Sequence, residues 1–280
     1  DAITATALTD GQVLTLTGAN DATVAFANGD INASTYTGAL TVTGTGTTGK
    51  FTTGTVSSSI SSTGATAIDA TAMAADQTLT TSGAGATTIT GLKADLTDTS
   101  TAAQNITVAS VGNITLALGS DTTDTDAITA TALTDGQVLT LTGANDATVA
   151  FANGDINAST YTGALTVTGT GTTGKFTTGT VSSSISSTGA TAIDATAMAD
   201  GQTLTTSGAG ATTITGLQAN LTDTSTAAQT ITVASVADIT LALGSDTNGT
   251  DAITATALTD GQVLTLTGAN DATVAFANGD

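Results

Sequence analysis

The sequence predicts an all-β protein, a parallel β-solenoid built from tandem 125-residue repeats. Three observations carry that expectation. The stretch DAITATALTDGQVLTLTGANDATVAFANGD opens the chain at Asp1 and returns unchanged at Asp126 and Asp251, and recurrence at a fixed spacing is the signature of a stacked array. Along short runs, apolar residues alternate with Thr, the period of a strand with one buried face. Between the runs lie clusters of Gly, Asn, Asp and Ser, which tolerate the backbone of tight corners.

Taken in order, Ile3 to Ala7 alternates Thr with apolar residues, and in Gln12–Gly18 Leu14 and Leu16 share one face while Val13, Thr15 and Thr17 share the other. Ala22–Ala27, Ala39–Gly44 (with Leu40 and Val42 on one side), Ile106–Val108 and Ile114–Leu118 repeat the pattern. Each reads as a strand of about five to seven residues, favoured by Val, Ile and Thr. The Thr density around Ser100–Gln104 disfavours an extended helix there.

The first copy spans residues 1–125, the second 126–250, and 251–280 reads as the start of a third, so the chain reads as a window on a longer array. Copies one and two agree through their first 74 positions and then differ at nine. The differing pairs are Ala75/Asp200, Asp76/Gly201, Lys93/Gln218, Asp95/Asn220, Asn105/Thr230, Gly112/Ala237, Asn113/Asp238, Thr123/Asn248 and Asp124/Gly249. None touches Val, Ile, Leu, Met or Phe, which predicts solvated turns around a fixed core. A weaker repeat at 65 residues sets Ile3 on Ile68, Leu14 on Leu79 and Val24 on Ile89. Each copy is therefore read as two diverged halves.

Strands recurring about every ten residues suit coils of roughly 20–27 residues. The alternative is a string of small β-sandwich domains, one per half. The solenoid is preferred because aromatics are only 2%, Ala and Thr suit a narrow coil interior, and no linker separates beads.

Composition narrows the function. Three lysines face 23 acidic residues, all Asp, for a net charge of −20, which disfavours a nucleic-acid partner and anionic lipid. No Cys is present, so no disulfide framework or thiolate metal site is expected, and no run of about twenty apolar residues suggests membrane insertion. Catalysis is not expected, since the chain lacks His, Cys, Glu, Arg and Trp and a general base would fall to Asp or Lys.

Two motifs suggest ligands. Gly44–Lys50 and Gly169–Lys175 match the spacing of a phosphate-binding loop. Phe51 stands where the magnesium-binding hydroxyl belongs, however, and a strand follows where a helix is required. The acidic turns are stronger candidates: Asp121, Asp124 and Asp126 in the first copy, and Asp246 and Asp251 in the second, gather the oxygen ligands a weak calcium site uses. The competing reading is a turn whose carboxylates bind backbone amides. Thr-x-Thr pairs (Thr4/Thr6, Thr15/Thr17, Thr41/Thr43) would bind ice if they lined up on one regular face.

Segments such as INASTYTGALTVTGTGTTG (Ile31–Gly49) and GATAIDATAMADGQTLTTSGAGATTITGL (Gly189–Leu217) resemble the Thr/Ala/Gly-rich repeats of giant bacterial surface proteins. These are surface-layer proteins and adhesins allied to the calcium-binding RTX type, although the RTX nonapeptide GGxGxDxUx is absent. The resemblance implies secretion to the bacterial cell surface and a structural, non-enzymatic role as surface layer, fibre or adhesin stalk. The expected partner is a copy of the chain itself, end to end or side by side, with surface polysaccharide as a further candidate. The alternative function is an adhesive or ice-binding module using Thr-rich strand faces.

Overall fold

A computed structural model describes residues 1–44, 49–109, 112–120, 123–169, 174–234, 237–244 and 249–280. Among them there is no helix; the chain is all-β and winds as a parallel β-solenoid. The sandwich alternative fails because strands pair in parallel with the strand two places further on, which a hairpin-built sandwich cannot do. The chain divides into two compact units: Asp1–Ala132 with Thr142–Ala147, and Leu133–Leu141 with Thr148–Asp280.

The first unit begins with β1 (Ala2–Ala5), β2 (Val13–Thr15), β3 (Ala22–Phe26), β4 (Asp30–Asn32) and β5 (Leu40–Gly44). It continues with β6 (Lys50–Thr52), β7 (Ser58–Ser62), β8 (Thr66–Asp69), β9 (Thr78–Gly83) and β10 (Thr87–Leu92). β11 (Asp95–Ser100), β12 (Asn105–Val108), β13 (Ile114–Leu118) and β14 (Thr125–Ala130) follow. Odd-numbered strands form one sheet and even-numbered strands the other. Each coil therefore contributes one strand to each sheet, and in this unit its length runs from sixteen residues (Leu92 to Val108, past a register shift) to twenty-two (Asn105 to Ala127). That is tighter than the sequence suggested.

The core lies between the two sheets. In the even sheet Leu14, Ile31, Phe51, Ile68, Ile89, Ile106 and Ile128 stack in one inward column. From Ile31 upward every member is buried. Alternation makes this work: in β5, Leu40 and Val42 are buried while Thr41 and Thr43 are exposed. A two-residue period sends one set inward and the other to solvent.

In the second unit, β15 (Val138–Gly143) and β16 (Asp146–Phe151) carry residues of both units. β17 (Asp155–Tyr161), β18 (Leu165–Gly169), β19 (Lys175–Thr177), β20 (Ser183–Ser187), β21 (Thr191–Asp194) and β22 (Thr203–Ser207) follow. The remainder are β23 (Thr212–Leu217), β24 (Asn220–Asp223), β25 (Thr230–Val233), β26 (Ile239–Leu243), β27 (Asp251–Ala255), β28 (Leu264–Gly268) and β29 (Ala272–Phe276). Here the stacked column is Ile156, Phe176, Ile193, Ile214, Ile231 and Ile253, and it lies in the odd sheet.

The change of sheet has a simple cause. Strands β1 to β13 precede β14, whose Asp126–Ala130 repeats Asp1–Ala5. Thirteen is odd, so within the first unit Ala2–Ala5 joins the odd sheet and the identical Ala127–Ala130 joins the even one. The weaker internal repeat is also real in three dimensions. The corner bonds Leu8 N to Ala5 O and Asp30 N to Gln12 O recur 65 residues later as Met73 N to Ala70 O and Asp95 N to Gln77 O.

The nine differing positions behave as the sequence implied: every one among the described residues is exposed or half-buried. Asp95 and Asn220 even keep one function, since each Oδ1 accepts the backbone N–H of the next coil, from Thr115 at 2.7 Å and Thr240 at 2.9 Å.

Candidate functional site: the acidic corners

The aspartates do not gather around a common point. Several sit at corners, where Oδ1 accepts a backbone N–H from a neighbouring coil. Asp21 accepts from Ala39, Asp30 from Lys50 and Asp155 from Lys175, each at 2.9 Å. Gln77 does the same with Oε1, accepting Ser57 N at 2.9 Å and the Ser57 hydroxyl at 3.1 Å. At a corner the ladder is interrupted and a backbone N–H would otherwise go unpaired. Short acceptor side chains close that gap, which explains a chain full of Asp with so few cations to match.

The residues singled out as calcium ligands part company. Asp121 and Asp246 lie outside the described residues. Asp124 is exposed in its turn. Asp126 and Asp251 are fully buried. Asp126 Oδ1 accepts Gln104 N at 2.8 Å and its Oδ2 accepts Asn145 Nδ2 at 3.3 Å. Asp251 repeats this with Gln229 N at 2.8 Å and Asn270 Nδ2 at 3.4 Å. Among the described residues no group of three or more acidic side chains is placed to hold a metal ion. Strand parity carried a signal for this arrangement: Asp126 has the same alternation phase as Ile128 and Ala130, so it points inward with them.

Asp126 belongs to a buried polar seam that sequence reasoning missed. Asp98 is 2% exposed. Its Oδ1 accepts the Thr81 hydroxyl at 2.5 Å and the Ser100 hydroxyl at 2.7 Å. Gln104 Nε2 donates to Ser100 Oγ at 2.5 Å, Gln104 Oε1 accepts Thr87 N at 2.9 Å, and Gln104 N reaches Asp126. One glutamine thus links two buried carboxylates on neighbouring coils. The second copy rebuilds the seam from Thr206, Asp223, Ser225, Gln229, Thr212 and Asp251. Asp98 Oδ2 and Asp223 Oδ2 are sealed from solvent with no hydrogen-bond partner. Such an orphaned polar atom costs on the order of 1–3 kcal/mol, and more when it is charged.

Lysine contributes little. Lys50 Nζ stands 3.9 Å from Asp69 Oδ2, and Lys175 is placed likewise on Asp194. Both lysines are more than half exposed, so these pairs are worth at most about 1 kcal/mol. Asp69 is held below the usual carboxylate range chiefly by the Thr71 hydroxyl, with burial opposing and the Thr71 N–H and Lys50 ammonium assisting.

Residues 45–48 and 170–173, the centres of the two loops with phosphate-binding spacing, lie outside the described residues. Their flanks are strand: Gly44 closes β5, Lys50 opens β6, and Phe51 is a core residue. No helix long and apolar enough to cross a membrane occurs among the described residues. Comparison with protein-family models, with curated proteins and with solved structures gave no match.

Proposed function

We propose that the protein is a structural, non-enzymatic scaffold of the bacterial cell surface, acting in a surface layer, a fibre or an adhesin stalk. The observation that supports this reading is the use made of the reactive side chains. Asp, Gln and Ser hold one coil to the next at the corners, and Thr, Asp and Gln do so in the buried seam. A scaffold needs that clamping repeated along its length, because each coil of a solenoid is stabilised by its neighbours alone.

Self-association belongs to the same proposal, as does calcium crosslinking of exposed carboxylates such as Asp124. The test is electron microscopy of the full chain with calcium and after chelation. Filaments or a two-dimensional lattice are expected, with order falling on chelation. Dispersed single particles at high concentration would overturn the assembly role, and order unchanged by chelation would remove calcium from it.

A further inference from the structure

The two sheets of the first unit present different chemistry to solvent. In the odd sheet, strands β3, β5, β7, β9 and β11 pair in register without interruption. One outward column is Thr23, Thr41, Ser59, Thr80 and Thr97. The column beside it is Ala25, Thr43, Ser61, Ser82 and Thr99. Nine of these ten positions carry a hydroxyl, and none carries a charge, in a chain of net charge −20. The even sheet at the same level carries half-buried Asp30 and Asp69 and exposed Lys50, and its register slips between β10 and β12.

These hydroxyls are also unspent. Thr99 Oγ1 donates to Thr81 O at 3.2 Å, while the other eight make no side-chain hydrogen bond within the described protein. The second unit carries a shorter version of the same grid, with Thr166, Ser184, Thr205 and Thr222 in one column and Thr168, Ser186 and Ser207 in the next. Of the pairs read from the sequence, only Thr41/Thr43 belongs wholly to this face; Thr4 joins it alone, paired with Ala25. Thr15 lies in the even sheet, and Thr6 and Thr17 fall outside the strands.

We infer that this face binds ice. Strand spacing sets the rows about 4.8 Å apart and the columns about 6.6 Å apart, so the grid covers only about 300 Å². A stable protein partner needs about 800 Å² a side. The columns offer no aromatic ring to stack on a sugar and no charge for lipid, mineral or nucleic acid. They do offer unpaired hydroxyls, and methyls from Thr, at a fixed spacing. The surface that meets such a grid is an ordered, neutral lattice of hydrogen-bonding groups, and solid water is one.

The test uses the full 280-residue chain. Thermal hysteresis and inhibition of ice recrystallisation are measured for the parent, for T41K/T166K, and for T88K/T213K, whose positions are exposed outside the grid. The parent is expected to arrest ice growth, T41K/T166K to lose at least fivefold in activity at equal concentration and unchanged melting temperature, and T88K/T213K to match the parent. If T41K/T166K melts early, T97K/T222K takes its place. An inactive parent, or equal activity in all three proteins, overturns the inference. So does a T41K/T166K change confined to self-association in sedimentation, which would assign the face to a lateral contact between copies.

Discussion

Replacing Ile89 by Ala tests the central claim that coils are held by stacked side chains in a one-dimensional array. Ile89 is fully buried between Ile68 below and Ile106 above, both also buried. Removing three carbons forfeits about 2.4 kcal/mol of transfer free energy at ~0.8 kcal/mol per methylene. The ladder fixes the spacing of the column, so Ile68 and Ile106 cannot close the gap, and the cavity adds roughly 1–2 kcal/mol. The expected cost is about 4 kcal/mol in the opening of the surrounding coils. Hydrogen exchange read by mass spectrometry is the assay, because Lys93 distinguishes the first-copy peptide from its Gln218 counterpart. Protection should fall in β10 and β12, the latter marked by Asn105 against Thr230, and persist in β23 and β25. A loss below about 1 kcal/mol, or an equal loss in both copies, would refute the nearest-neighbour picture.

Further outcomes follow from the same geometry. Gly83 has φ of +100°, and a Cβ there would overlap the Ser62 carbonyl of the adjoining coil. Gly83→Ala should therefore cost about 3 kcal/mol or more in chemical denaturation. Gly112 has open space around it, and the second copy carries Ala237 at that place; Gly112→Ala should leave the denaturation midpoint unchanged or slightly raised. Because Asp69 holds its proton less tightly when folded, its contribution is complete above the unfolded value, about 3.9, and is lost as pH falls through the lower folded value. Thr71→Val removes the largest cause of that shift, so melting followed from pH 5 to pH 2 should show a shallower acid limb; an unchanged limb would count against the Thr71 hydroxyl.

Much of the architecture was legible because its physics is local. Alternation in Leu40–Gly44 and the recurrence of Ile68, Ile89, Ile106 and Ile128 each announce a strand and its buried face. The clamping role of Asp was half legible. Corners favour Asp, but the partner of Asp30 is the N–H of Lys50, twenty residues away, and nothing local names it. The seam was missed because Thr81, Asp98 and Ser100 read as outward polar residues until their phase is set against Leu79 and Leu96 on the same strands. The hydroxyl grid could not be read at all without register. Coils of sixteen to twenty-two residues decide which Thr stands above which, and that choice is made at the turns.

The odd number of strands per repeat gives the array a parity. The first 74 residues of each copy are identical, so unequal exchange between two copies would remove β1 to β13 or an equivalent block as a unit. Removing that block would bring Asp126–Ala130, which stands in the even sheet, to the place of the identical Asp1–Ala5 in the odd one. Within the first unit one segment is therefore shown on both faces: Thr4 on the odd sheet recurs as Thr129 on the even one, and a partner that reads that segment meets it from opposite sides.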